Sequence, residues 1–254
     1  MITKIKYNCI DYFADLNKPI DISVPIYSKG VLAWGMPPVC IEPVNHAGWI
    51  GDVEKGSAVN FNNIFFNPHA HTTHTECVGH ISSTKESINK ELKTFFFIAK
   101  LITIKPKKKG NDCVITKNMI QSLAAKNEQL DALIIRTLPN KPNKTHYNYS
   151  NSNPPYLLKE AAKYISEINI KHLLIDLPSV DREEDQGELN AHKLFWGFPS
   201  NIRNGCTITE LIYAAPSVPD GYYLLNLQVA PFENDASPSR PVLFQLQTKI
   251  NEQG

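Results

Sequence analysis

Histidine side chains are concentrated in one short stretch of the sequence. Four of the eight histidines lie in the segment NPHAHTTHTECVGHIS, which spans residues 67–82 and also contains Glu76. Imidazole and carboxylate groups suit a borderline divalent ion, and a segment with so few apolar residues is not expected to bury itself in a core. We therefore predict a metal site here, and the alternative is a histidine-rich loop at the surface.

Spacing within the segment indicates which side chains act together. In an extended strand successive side chains alternate between two faces, so His74, Glu76 and His80 would share one face. His69 and His71 would point to the opposite face unless a bulge re-aims them.

The same segment resembles the metal-binding signature of the cyclase family, H-x-G-T-H-x-D-x-P-x-H. This family includes bacterial kynurenine formamidases and isatin hydrolases. Thr73, His74 and His80 match the signature, and Glu76 replaces its aspartate with a carboxylate that is one methylene longer. Ala70 stands where the signature has its first histidine.

Two later blocks extend the resemblance in the expected order along the chain. The first resembles the family run in which an Asp-x-x-Ser-x-Asp turn precedes an Ala-His pair and a glutamate; its residues here are Asp176, Ser179, Asp181, His192 and Glu210. The second, ASPSRPVLF from Ala236, resembles the family's closing Gly-Ser-Pro-x-Arg segment. The resemblance covers most of the chain.

The resemblance implies a metal-dependent amidohydrolase of the arylformamidase type, which uses metal-activated water to cleave a C–N bond in a small amide or lactam. It implies zinc or manganese as the cofactor. The implied ligands are His74 and Glu76, with His69 or His71 in place of the missing histidine. His80, His192 and Glu210 would hold a second ion or act as general bases.

Other functions remain open at the level of the sequence. Loss of the first histidine at Ala70 would be compatible with a metal-free or inactive homologue that binds a small molecule. The thiol of Cys77 is a candidate nucleophile beside His74 or His80. A serine esterase is disfavoured, because the chain contains no G-x-S-x-G motif.

The family's substrates imply an aromatic amide or lactam and, by analogy, a step in tryptophan catabolism. Trp34, Met36 and Trp49 lie among turn residues, where they would wall a pocket for a flat ligand. The resemblance also implies a homodimer or a larger homo-oligomer.

Composition excludes several other classes of partner. The chain has 26 basic and 25 acidic residues, so its charge recommends neither nucleic acid nor an anionic membrane. Five scattered cysteines without a C-x-x-C pair argue against a disulfide framework. No segment approaches the roughly 20 apolar residues that span a bilayer, and the expected location is the cytoplasm.

Hydrophobic patterning predicts an α/β fold with a mixed sheet in a single domain, residues 1–254. The resemblance implies the swivelling β/β/α fold of the cyclases. We predict helices over 116–123, 154–168 and 188–196. Strands are predicted over 20–26, 58–66, 92–104, 131–137, 171–177, 207–211, 222–229 and 241–247.

Overall fold

The structure, a computed structural model, describes residues 1–248, so the last six residues of the predicted domain lie outside the described part. The strands up to residue 104 are β1 (Ile2–Tyr7), β2 (Ile10–Asp15), β3 (Ile20–Asp21), β4 (Cys40–Pro43), β5 (Asn45–His46), β6 (Trp49–Ile50), β7 (Asn62–Phe65), β8 (His74–Glu76) and β9 (Phe96–Ile104). The later strands are β10 (Lys107–Lys109), β11 (Asp112–Ile115), β12 (Ala132–Thr137), β13 (Tyr156–Leu157), β14 (His172–Ile175), β15 (Thr207–Glu210), β16 (Gly221–Asn226), β17 (Ala236–Pro238) and β18 (Val242–Gln245).

Helices are short and few compared with the strands. The α-helices are α1 (Pro68–His71), α2 (Ile88–Glu91), α3 (Lys117–Gln121), α4 (Lys159–Glu167) and α5 (Asn190–Trp196). Short 3₁₀ turns lie at Val53–Lys55, Val78–His80, Lys126–Glu128 and Pro142–His146. Within the described residues, no helix combines the length and the apolar character needed to cross a membrane.

A nine-stranded mixed sheet organises the fold, in the order β17-β8-β15-β14-β12-β9-β16-β18-β3. The four central strands β15, β14, β12 and β9 are parallel, and the strands outside them pair antiparallel. Helix α4 connects β12 to β14, and α5 connects β14 to β15, as expected for crossovers between parallel strands. The predicted mixed α/β sheet is confirmed.

Both faces of the central strands are buried, which explains their continuous apolar runs. On β12, Leu133 and Ile135 pack in the cluster that contains Ile165 of α4 and Trp196 of α5. Ile134, between them in sequence, belongs to the cluster on the opposite face.

Several predicted boundaries are wrong for local reasons. The helix predicted from Pro154 begins only at Lys159, because Tyr156 and Leu157 pair in parallel with β11. The strand predicted over 20–26 is reduced to Ile20–Asp21. The N-terminal hairpin of β1 and β2 was not predicted.

Candidate metal centre

Strand β8 brings the central histidine and glutamate of the motif into the sheet. His74 lies opposite Glu210 of β15, and both His74 and Glu76 are fully buried. Their side chains join the same cluster, as the alternation predicted. Thr75, between them, bonds through Oγ1 to Thr209 Oγ1 at 2.8 Å. The strand thus presents its two candidate ligands on one face and a hydroxyl pair on the other.

The segment before β8 is helical, contrary to the predicted extended strand. Asn67 starts helix α1 by accepting a hydrogen bond from the His69 amide through its side chain, and Pro68 occupies the first turn. Helical residues two positions apart point to different sides, which separates His69 from His71. The Asn-Pro pair was the signal in the sequence for this turn.

The helical turn directs His69 into the cluster and His71 away from it. His69 Nδ1 lies 3.3 Å from Glu76 Oε2. His71 Nδ1 accepts a hydrogen bond from the Asn67 amide, and its Nε2 donates to the Pro37 carbonyl at 2.9 Å. Of the two histidines proposed to replace the missing ligand, the structure brings only His69 to the site, so His71 is corrected to a buried structural residue.

Buried acceptor atoms face one another across the cluster. His74 Nδ1 donates to the Thr72 carbonyl at 3.0 Å, which leaves a lone pair on Nε2, 3.4 Å from Glu210 Oε2. Within residues 1–248, neither His74 Nε2 nor Glu76 Oε2 has a hydrogen-bond partner. Burying such atoms unpaired is costly, and a cation between them removes the cost. Two ligands about 2.0–2.1 Å from a tetrahedral ion lie about 3.3 Å apart, close to the observed separations.

Helix α5 carries His192, which is buried against Glu76. Its Nδ1 pairs with Asp181 Oδ2 at 2.7 Å, and its Nε2 lies 3.1 Å from Glu76 Oε1. Asp181 also accepts hydrogen bonds from the Ala191 and His192 amides at the start of the helix. A carboxylate behind a histidine is the usual support of a metal-ligating imidazole. Asp181 belonged to the matched block, but the sequence assigned it no role.

Asp235, immediately before β17, is a site residue that sequence reasoning missed. Its Oδ2 lies 2.9 Å from His69 Nε2 and 3.1 Å from His80 Nδ1. Potential ligand atoms approach one another in three sets: His69, His74 and Glu76; His69, His80 and Asp235; and Glu76, His80 and His192. The donor set and the unpaired acceptors therefore fit a divalent ion.

The electrostatics of the cluster depend on a balance between burial and pairing. Burial raises the pKa of the Glu76 carboxyl, but His80, His192 and His69 hold that pKa well below its usual range. Burial lowers the pKa of His69, yet its hydrogen bond to Asp235 and the nearby negative charge of Glu76 raise that pKa to about 10. The pKa of Asp235 is lowered because its pairing with His69 and His80 outweighs its burial. Without a cation the cluster thus holds protons, and a metal ion would replace them.

A cavity of about 340 Å³ opens beside the cluster. His69, His80, His192 and Glu210 line it on one side, and Trp34 and Met36 contribute an apolar wall, as predicted. The Trp34 indole donates to the His69 carbonyl at 3.1 Å, which ties this wall to the helical turn.

Two neighbouring side chains that the sequence offered as candidates lie outside the cavity. Trp49 does not line the cavity; it packs against Phe61 with ring centroids 6.1 Å apart. The Cys77 thiol is buried and donates to the Glu86 carbonyl, and burial raises its pKa to about 12. Because the thiolate is the reactive form, this burial disfavours Cys77 as a nucleophile.

A family comparison tests the resemblance seen in the sequence. The sequence profile described as "Putative cyclase" matches residues 15–182, about two thirds of the chain and the whole of the histidine segment. The chain belongs to the cyclase family. The resemblance seen in the sequence is thereby confirmed, whereas His192, Glu210 and Asp235 lie beyond the matched residues.

Individual relatives of this cyclase-family chain are distant. A kynurenine formamidase of Bacillus mycoides (strain KBAB4) is 24% identical over 218 residues, which cover 80% of this chain and 94% of that protein. A structure described as a predicted metal-dependent hydrolase from Bacillus stearothermophilus has a TM-score of 0.63 and 22% identity, covering 89% of this chain and 98% of its own. Isatin hydrolase A from Labrenzia aggregata, bound to benzyl benzoate, has a TM-score of 0.63 and 15% identity. The match covers 91% of this chain and 94% of the isatin hydrolase chain. The two structures share the cyclase fold with this chain.

Proposed function

We propose that this protein is a metal-dependent hydrolase that cleaves the C–N bond of a small amide or lactam, in the manner of an arylformamidase. The observation that carries the proposal is the pair of buried, unpaired acceptors His74 Nε2 and Glu76 Oε2, which lie behind His69, His192 and Glu210, three residues that line the cavity. Family membership and the likeness to a kynurenine formamidase support the same chemistry.

In this proposal His69, His74 and Glu76 would hold the ion, and Glu210 of strand β15 lies next to them, with Oε2 3.4 Å from His74 Nε2. A bound divalent ion supplies an activated water of pKa about 7 and polarises the carbonyl under attack. Zinc and manganese both suit imidazole and carboxylate ligands, so the donor set is compatible with either.

His192 is placed to transfer protons during the hydrolysis. Asp181 holds Nδ1, and Nε2 lies 3.1 Å from Glu76 Oε1, so Nε2 is the atom that would accept a proton from water and return it to the departing nitrogen. His80 also lines the cavity, and its Nδ1 lies 3.1 Å from Asp235 Oδ2. Together with Glu76, these two histidines also form the set that would hold a second ion.

The cavity favours a small, flat substrate. Its volume of about 340 Å³ suits a single ring bearing an amide, and Trp34 and Met36 offer apolar surface for that ring. N-formylkynurenine and isatin-like lactams are the first substrates to assay, and the former would place the enzyme in tryptophan catabolism.

The test is hydrolysis of aryl formamides and lactams by the purified protein, before and after chelation. We expect activity that is lost with a chelator and restored by zinc or manganese. His192→Ala should lower kcat by about 10²-fold or more, because a positioned acid or base contributes that much. His46→Ala, at an exposed histidine of β5, is the matched control. Absence of bound metal and of turnover would favour the metal-free binding protein instead.

We also propose that the active form is a homodimer. Strands β4 and β7 form a two-stranded ribbon outside the main sheet, and Ile41, Ile64 and Phe65 on it are 44%, 55% and 58% exposed. Ile41 and Ile64 are directly paired across the ribbon and so form one exposed apolar face, which favours an interface, here with a second copy. Light scattering should show a dimer that Ile64→Lys dissociates and Ile2→Lys, at a similarly exposed N-terminal residue, leaves intact. A monomeric wild type would refute the homodimer.

A further inference from the structure

One carboxylate oxygen connects two of the candidate site histidines. Asp235 Oδ2 lies 2.9 Å from His69 Nε2 and 3.1 Å from His80 Nδ1, both ordinary lengths for a charge-assisted hydrogen bond. Asp235 is separated from these histidines by more than 150 residues in the sequence and reaches them only through the pairing of β17 with β8.

This contact fixes which nitrogen of each ring carries the proton. An ionised carboxylate only accepts hydrogen bonds, so His69 must donate through Nε2 and His80 through Nδ1. In a neutral imidazole the other nitrogen then holds a lone pair. For His69 that nitrogen is Nδ1, which lies 3.3 Å from Glu76 Oε2, an atom without a hydrogen-bond partner among residues 1–248.

We propose that Asp235 is a positioning residue that turns His69 into a metal ligand through Nδ1 and thereby compensates for the histidine absent at Ala70. The inference rests on the proposed metal site. It adds an explanation of how His69, one residue before the position of the missing histidine, can act as a ligand. Two features cooperate: the helical turn at Asn67 aims the ring, and Asp235 selects its tautomer.

The backbone around Asp235 is held independently of its carboxylate. The Asp235 carbonyl accepts from the Cys77 amide at 3.0 Å, and the Asn234 carbonyl accepts from the Ile88 amide at 2.8 Å. Ala236 pairs with Glu76 in the sheet. Replacing the carboxyl group by an amide therefore leaves the main-chain contacts in place, and Asp235→Asn is expected to fold.

The experiment measures affinity for Zn²⁺, by competition with a chromophoric chelator, in wild type, Asp235→Asn and Glu233→Gln. Glu233 is an exposed carboxylate on the same loop that pairs with Lys90. We expect Asp235→Asn to weaken Zn²⁺ binding by about 10- to 100-fold, as for other residues that orient a ligating histidine. Glu233→Gln should bind as wild type does. The Co²⁺-substituted proteins should differ in their visible absorption only for Asp235→Asn.

A second measurement, NMR spectroscopy of the wild-type protein, tests the role of Asp235 without any substitution. Imidazole ¹⁵N shifts of the Zn²⁺-loaded protein should show His69 protonated at Nε2 and ligated at Nδ1. Ligation through Nε2, or equal affinity of Asp235→Asn and wild type, overturns the role of Asp235 while leaving the hydrolase proposal standing. Failure of wild type to bind Zn²⁺ overturns both.

Discussion

His74 Nε2 and Glu210 Oε2 lie 3.4 Å apart on paired strands, and a neutral His74 that donates through Nδ1 to the Thr72 carbonyl has no proton on Nε2 for that carboxylate. Two acceptors held face to face in a buried site are repulsive unless a cation lies between them. The sheet pairing of β8 with β15 enforces this arrangement.

Removal of metal should therefore destabilise the fold. An ion that binds only the folded state stabilises it by about 2.7 kcal/mol when present at 100 times its dissociation constant. We expect the thermal midpoint to fall on chelation and to recover on adding zinc or manganese, measured by differential scanning calorimetry. A midpoint that is indifferent to chelator and metal would contradict this prediction.

Replacing Asp181 by asparagine should impair catalysis more than folding. The amide can no longer hold His192 Nδ1–H as a carboxylate does, so kcat should fall by about 10²-fold or more with a smaller change in KM. Loss of its contacts at the start of α5 should cost about 1 kcal/mol in urea unfolding. Asp52→Asn is the matched control, because this carboxylate also accepts from an amide at the start of a helical turn, that of Glu54, and does not line the cavity; an equal loss of kcat in both variants would argue against the assignment.

How far the sequence predicts this structure depends on how local each determinant is. The strands around Leu101, Ile134 and Leu174 were predicted because both of their faces are buried, and such strands appear in the sequence as continuous runs of apolar residues. The choice between His69 and His71 depended on a single helical turn whose Asn-Pro signal was overlooked. Asp235 could not be placed, because only the pairing of β17 with β8 brings it near the histidines.

His172 shows the same limit and leads to a prediction. A histidine at the start of a strand is usually a capping or surface residue, but the ring of His172 is buried, packs on Phe97 and bonds to Thr207 Oγ1. Burial, reinforced by Lys171 and Arg203, lowers its pKa to about 3. In the unfolded chain the His172 imidazole binds a proton near pH 6.5, whereas in the folded protein it stays neutral down to about pH 3. The free energy of unfolding must therefore fall as the pH drops from about 6.5 toward 3.

The His172→Gln variant isolates this effect. Relative to pH 7 and above, the wild-type histidine should cost about 2 kcal/mol of unfolding free energy at pH 5, from a reference pKa of about 6.5. Urea unfolding across this range should show a shallower loss for His172→Gln than for wild type, with His46→Gln as the substitution control. Parallel curves for wild type and His172→Gln would refute the assignment.

A buried ion pair secures the segment that follows β12. Lys144 Nζ lies 2.6 Å from Asp176 Oδ2, and Thr137 donates to the same carboxylate through its amide and hydroxyl groups. Lys144→Met leaves this carboxylate uncompensated and should cost about 3 kcal/mol in urea unfolding. The exposed pair of Lys163 and Glu167 provides the comparison, since Lys163→Met should cost under about 0.5 kcal/mol. Equal effects of the two substitutions would contradict the burial argument.

The central claim is that the cluster around Glu76 holds a divalent ion, and metal content tests it most directly. The protein should be purified without an affinity tag or chelator and assayed by plasma mass spectrometry beside the double variant His74→Ala, Glu76→Ala. We predict one or two equivalents of zinc or manganese in wild type and none in the variant. A folded wild type that carries no metal and takes up none when it is added would contradict the account.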